Sequence, residues 1–125
     1  MKFLLIGCII FLNSALGISQ EAEFSLKQAL HKFPDCTEGA ILEHTFSFTN
    51  TGNSPLLIFD YKVQCSCTKV ILPEKPIDPG KTGVIKVIFD SEGKSFQQNR
   101  EVILQTNTKN KREKIRFKVF VEPKA

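Results

Sequence analysis

The sequence predicts an all-β fold, a two-sheet β-sandwich of about seven short strands. Three observations carry that reading. Apolar and polar residues alternate over Ile41–Asn50, the period of a half-buried strand, and Val84–Asp90 and Lys114–Val121 carry an apolar residue at every second position. Clusters of Gly, Pro, Asn and Ser interrupt the chain at intervals of roughly 8–15 residues. No stretch beyond the leader shows a convincing helical period.

The leader comes first. Met1-Lys2 supplies a positive start, Phe3–Leu12 is an apolar run, and Ala15-Leu16-Gly17 places small residues where a signal peptidase needs them. Residues 1–17 therefore read as a secretory signal peptide, too short to span a bilayer. Cleavage after Gly17 leaves a chain of about 108 residues, 18–125, beginning at Ile18, the size of one domain. Leu5-Ile6-Gly7-Cys8 also has the residue types of a lipid-modification site, but there the apolar core would be cut short after Lys2.

Phe24, Leu26 and Gln28 alternate with Ser25, Lys27 and Ala29, which suits a first strand, with a helix over Ser25–Leu30 as the alternative. Phe33-Pro34-Asp35 breaks regular structure, and Thr37-Glu38-Gly39 reads as a turn. Over Ile41–Asn50 the residues Leu42, His44, Phe46 and Phe48 fall on one face. A turn cluster follows over Asn50–Pro55. Leu57, Phe59, Tyr61, Val63, Cys65 and Cys67 then share a face if the next strand stays extended. Val70–Leu72 is a short apolar segment, and Pro73–Gly83 a stiff crossing loop with a Pro79-Gly80 turn. Val84–Asp90 turns Ile85, Val87 and Phe89 inward. Ser91–Asn99 reads as polar loop, and Arg100–Thr106 as a strand with Val102 and Leu104 on one face. Asn107–Glu113 is a basic hairpin loop, and Lys114–Val121 closes the domain with Ile115, Phe117, Val119 and Val121 inward.

The charge argues against one class of partner. Seventeen basic residues against thirteen acidic give a net +4, falling to +3 without Lys2. That is too mild for a dedicated nucleic-acid binder, which concentrates a basic face. No second apolar segment follows the leader, so no transmembrane span is expected.

The chemistry-bearing residues are few. Cys36, Cys65 and Cys67 follow the leader, an odd number in a disulfide-permissive setting. Cys65 and Cys67 are two residues apart. In an extended strand their Cα atoms lie roughly 6.6 Å apart on one face, near the long limit for a disulfide. One could pair with Cys36, both thiolates could converge on a soft metal ion with His44 as a local ligand, or both could stay reduced and buried. A dithiol redox centre ordinarily spaces its cysteines by two residues at a helix start, a pattern absent here. No Ser/His/Asp set, phosphate loop or zinc-finger spacing occurs, and Asp60, Asp78 and Asp90 sit at strand ends or turns. Catalytic residues and a resident cofactor are therefore not expected. Lys109, Lys111, Arg112, Lys114, Arg116 and Lys118 form a basic hairpin and strand face, read either as a site for an acidic partner or as a solvated, charged edge strand that blocks edge-to-edge pairing.

Thr45–Gly52 (Thr-Phe-Ser-Phe-Thr-Asn-Thr-Gly), Pro55–Ile58, Cys65–Thr68 (Cys-Ser-Cys-Thr), Pro76–Gly80, Val87–Asp90 and Thr106-Asn107 occur in that order. The ordered set resembles a family of secreted bacterial immunoglobulin-like domains of unknown function. That family carries a Phe-x-Phe-x-Asn-x-Gly strand end, a Cys-Gly-Cys-Thr stretch and a Pro-x-x-Pro-Gly turn, and is similar to sperm-protein and ciliary-type adhesion modules. The resemblance covers Phe24–Glu122 and implies an immunoglobulin-like sandwich with no established reaction. Ser66 stands where the family usually has Gly, and a Gly there would serve a φ > 0 turn that Ser tolerates less well. Cys36 lies outside the pattern and is a candidate partner for the cysteine pair.

The expected function is a non-enzymatic binding or structural module, secreted, periplasmic or at the cell surface, whose partner is another extracytoplasmic protein or a cell-surface component. Its expected functional end combines Cys65, Ser66, Cys67 and Thr68 with Pro79 and Gly80. The alternative is a metal- or thiol-handling protein built on Cys65 and Cys67 with His44 or Cys36.

Overall fold

The structure, a computed structural model, describes residues 19–125. The expected signal peptide, its expected cleavage point before Ile18, and Cys8 lie outside the described residues. Nine strands make two sheets: β1 (Phe24–Leu26), β2 (Leu30–Lys32), β3 (Cys36–Thr37), β4 (Ile41–Asn50), β5 (Ile58–Val63), β6 (Thr68–Ile71), β7 (Thr82–Asp90), β8 (Phe96–Thr106) and β9 (Arg112–Glu122). One sheet has the order β1-β4-β7-β6 and the other β2-β9-β8-β5, with β3 also beside β9.

Alternation decides which side chains fill the space between them. Phe46 and Phe48 of β4 meet Ile85, Val87 and Phe89 of β7, and from the opposite sheet Val102, Leu104, Ile115, Phe117, Val119 and Val121; all are buried. Burying a side chain of this kind stabilises the fold by roughly 1.5–3 kcal/mol each.

The excess over seven strands comes from the N-terminal segment. It is not one strand or helix but three short strands that change sheets. β1 pairs antiparallel with β4, whereas β2 and β3 pair parallel with β9. Pro34 has no N–H to give the ladder, so β2 stops before it and β3 resumes after it.

Two further expectations are corrected. The polar stretch Ser91–Asn99 is loop only to Ser95: β8 begins at Phe96, opposite Val121, because β9 supplies a long partner ladder. In β5 the run Leu57, Phe59, Tyr61, Val63 does not share one face. The register shifts between Ile58 and Asp60, and a one-residue bulge exchanges inside for outside. Leu56, Ile58, Tyr61 and Val63 pack on the core, while Phe59 is 61% exposed.

One end of the sandwich is tied by Asn50, which is fully buried. Its Nδ2 donates to the carbonyls of Ser54 and Ile77 at 2.8 and 2.9 Å. Its Oδ1 accepts from the backbone N–H groups of Glu23 and Gly52 at 3.2 and 2.9 Å. Gly52 lies so close to the N-terminal segment that a Cβ would stand 2.1 Å from the Glu21 carbonyl oxygen. Asn107 does a similar job nearby, accepting from Leu57 N–H at 2.8 Å and donating to the Pro55 carbonyl at 2.9 Å.

Asn50→Ala strips partners from four backbone groups at once, each costing about 1–3 kcal/mol if left buried and unpaired. The expected loss is at least about 3 kcal/mol in urea unfolding with an unchanged denaturant slope. A loss below about 1 kcal/mol would show that water replaces the amide freely.

Candidate functional site

The chain leaves β5 at Val63 and enters β6 at Thr68, crossing from the edge of one sheet to the edge of the other. The crossing is made by a turn: Thr68 N–H donates to the Cys65 carbonyl at 3.1 Å, and Asp90 N–H donates to the Cys67 carbonyl at 2.8 Å. The bend brings the Cα atoms of Cys65 and Cys67 to 5.1 Å, inside the disulfide range, and the two cysteines are bonded to each other. Cys67 N–H points at Cys65 Sγ, 3.2 Å away. Ser66 is exposed and is not among the residues with positive φ, so the turn closes without the glycine conformation.

Cys36 is a free thiol in β3, half-buried against the core beside Val121, at the same end of the sandwich. Arg100 also reaches into this end. It shares the inward parity of Val102 and Leu104, places its guanidinium carbon 5.8 Å from the centre of the Phe89 ring, and donates from Nη2 to Gln98 Oε1 at 2.6 Å. Its buried Nε has no hydrogen-bond partner, a cost that the cation–π contact offsets in part. Sequence reading missed Arg100 as an inward residue, although its parity with Val102 is the available signal.

His44 does not join the cysteines. It faces inward on β4 as expected, but β7 separates β4 from β6. Its neighbour is instead His31 of β2, in the opposite sheet: the two rings stack with centroids 3.4 Å apart and an interplanar angle of 9°. Phe33 and Phe46 stand edge-on to the pair. Burial among these rings lowers the pKa of both histidines, and each charge would repel the other, which lowers His31 further. Among the described residues no three His, Cys, Asp or Glu side chains gather as a metal site. Cysteines bonded to each other offer no thiolate to a soft metal.

Pro79 and Gly80 form the expected turn: Lys81 N–H donates to the Asp78 carbonyl at 3.0 Å, and Gly80 has φ +77°, which favours glycine. This turn does not share an end with Cys65–Thr68. Gly80 N–H donates to the Asn50 carbonyl, so the Pro76–Gly80 loop sits at the asparagine end and β6 runs between the two segments. The single functional end expected from sequence is in fact two opposite ends.

The basic face is corrected as well. β9 is flanked by β8 along its length and by β2 and β3 over Arg116–Lys118 and Val121–Glu122, so Arg116 and Lys118 guard no edge. Arg112, Lys114, Arg116 and Lys118 point outward in a row, and Phe120 continues it. Glu101 on β8 bridges Lys114 and Arg116 at 3.2 and 3.3 Å. Phe96, the first residue of β8, has φ +67°, and its ring lies 6.2 Å from that of Phe120.

A family model described as "Protein of unknown function (DUF1573)" matches residues 24–121. The chain belongs to that family. The fold has solved counterparts. A protein of unknown function from Porphyromonas gingivalis W83 superposes with a TM-score of 0.70 at 16% identity, over 85% of this chain and 50% of that one. The VesB protease of Vibrio cholerae gives 0.58 at 11% identity, over 82% of this chain and 32% of that one. The ASH/PapD-like domain 7 of human CEP192 gives 0.57 at 9%, over 83% and 87%. The chain thus spans half of the first of these proteins and about a third of the second, and identities this low show the immunoglobulin-like, PapD-like fold alone. No curated protein matches the chain.

Two predictions follow from the geometry. Alkylation before and after reduction, read by intact mass and peptide mapping, should find Cys36 reactive natively and all three thiols only after reduction, with Cys65 and Cys67 in one cross-link. A Cys36–Cys65 or Cys36–Cys67 cross-link would contradict the structure. For the histidines, the folded-state pKa lies below the unfolded value of 6.5. Stability is therefore complete above about pH 6.5 and lost as pH falls toward the folded pKa, because the unfolded chain takes up protons that the stacked pair resists. The urea midpoint should drop between pH 7.5 and 5, and His44→Gln should shrink that drop. Equal wild-type midpoints at both pH values would contradict it.

Proposed function

We propose that this chain is a secreted, non-enzymatic binding module that works outside the cytoplasm, with its binding surface on the outer face of the five-stranded sheet. The observation that carries this reading is Phe96. An aromatic residue in the left-handed region costs on the order of 1–3 kcal/mol, and here the ring it positions is 59% exposed. Burial therefore does not repay the strain. A bound partner that covers Phe96 and Phe120 does, and exposed aromatic pairs are what binding surfaces offer. Membership of a family of unknown function and the immunoglobulin-like fold are compatible with this role. The leader-like residues 1–17 and the resemblance to secreted domains support export.

A second reading has its own observation. A disulfide across three residues restricts the unfolded chain by only roughly 1.6 kcal/mol in the chain-entropy model. Cys65–Cys67 is thus better placed to hold the shape of its loop, or to exchange with external thiols, than to stabilise the domain.

Exported protein should have an intact mass beginning at Ile18; a lipid-modified Cys8 would instead place the domain on a membrane. Labelled mature protein should bind envelope preparations of the producing cells saturably, and Phe96→Ser with Phe120→Ser should weaken that binding about tenfold or more, the loss of one aromatic anchor or two. Unsaturable binding, or binding indifferent to both substitutions, overturns the reading.

A further inference from the structure

We infer that the outer face of the five-stranded sheet binds a linear anionic polysaccharide along β9, an inference that rests on the binding-module reading and names its ligand. The ladder register places the side chains. Arg112, Lys114, Arg116 and Lys118 follow one another at intervals of about 7 Å, Phe120 continues the row about 27 Å from Arg112, and Glu122 closes the strand. Lys32 of β2 stands directly opposite Lys118, and Lys62 of β5 lies on the same face, opposite Ile103. Six cations share this face with three carboxylates, Asp60, Glu101 and Glu122, an excess of three. Residues 19–125 hold sixteen basic and thirteen acidic groups, an excess of three. The rest of the described surface is thus close to neutral, and the net charge of the domain is concentrated here.

That concentration is unfavourable for the free protein. Like charges opposite each other across a ladder destabilise it. Only Glu101 answers the row, and among the described residues Lys32, Lys62, Arg112 and Lys118 form no ion pair. Lys118 lies between β2 and β8, so edge protection does not explain it. An anionic ligand does.

The neighbouring chemistry selects the kind of anion. Gln97, Asn99 and Gln105 of β8 point to the same face and offer amides to hydroxyl groups. A shallow cavity of about 430 Å³, lined by Leu30, Gln64, Asn99, Glu101, Arg116 and Lys118 among others, interrupts the row at its middle. Phe120, with Phe96 beside it, provides a ring for the apolar face of a sugar. Cations, amides and an aromatic platform in one line match a chain of acidic sugars. A protein partner fits less well, since the centre of a protein interface is depleted in lysine.

The test is equilibrium binding of the whole mature protein to size-defined alginate oligosaccharides, a uronate polymer, against neutral dextran, polyglutamate and vesicles containing phosphatidylglycerol. Alginate should bind, dextran should not, and added salt should weaken the complex. Arg116→Gln with Lys118→Gln should cost at least about tenfold, the worth of one or two charge-assisted hydrogen bonds. Phe120→Ala should cost about three- to tenfold without changing the salt dependence, a readout that charge alone would not move. Lys69→Gln and Lys75→Gln, away from this face, should change nothing. Thermal unfolding of each variant checks that it is folded. Polyglutamate binding as tightly as alginate, with Phe120→Ala silent, overturns the proposal in favour of an unspecific polyanion contact. Binding to the vesicles alone overturns it in favour of a membrane surface, and no binding to any probe overturns it outright. If alginate fails while saturable, Phe-dependent envelope binding persists, only the ligand class falls; if both fail, the binding-module reading falls with it.

Discussion

The buried carboxamide of Asn50 is the constraint on which the rest of this sandwich depends. A two-sheet fold leaves irregular backbone at its ends, and each buried N–H or C=O there needs a partner. Asn50 supplies two donor and two acceptor bonds at one point, to the N-terminal segment, to its own turn and to the crossing loop at Ile77. An aspartate would lose the donors, and an apolar residue would lose everything. Phe46 and Phe48, four and two residues earlier, share its inward face, so core packing and the polar knot are held by one strand. Gly52 follows because the backbone of Glu21–Glu23 must approach to reach the amide.

With that end closed by hydrogen bonds, the other end is free to carry different chemistry. There the chain passes from β5 to β6 through the Cys65–Cys67 turn, with Arg100 lying over Phe89 and the Cys36 thiol nearby in β3. Between the ends, the stacked His31 and His44 join the two sheets at a position that prefers both rings neutral. The fold thus separates three kinds of internal polar contact along its length: an amide knot, an imidazole pair and a cysteine loop. All three face inward or along the seam. The outer face of the five-stranded sheet is left to solvent and to whatever binds there.

Surface composition on that face runs against the stability of the free domain. Lysine opposite lysine, an exposed phenylalanine pair and a left-handed aromatic residue each cost free energy without a compensating internal contact. Natural domains have little stability to spare. Costs gathered on one face are most simply explained by what that face meets outside the molecule.

The sequence by itself determined the class of fold and most of the core, because strand periodicity is local: the inward sets of β4, β7 and β9 follow from alternation alone. It also marked Asn50, Gly52, Pro79, Gly80, Asn107 and the cysteine pair, though not what each of them touches. Only the tertiary structure decided the rest, because the rest depends on partners distant in the chain. Whether Phe59 faces in or out rests on a bulge against β8. Whether β9 is an edge rests on where β2 and β3 dock. His44 met His31 rather than the cysteines because the N-terminal segment changes sheets after β1 and β7 separates β4 from β6. Cys65 met Cys67 because the crossing between sheets demands a turn where an unbroken strand would have held them apart.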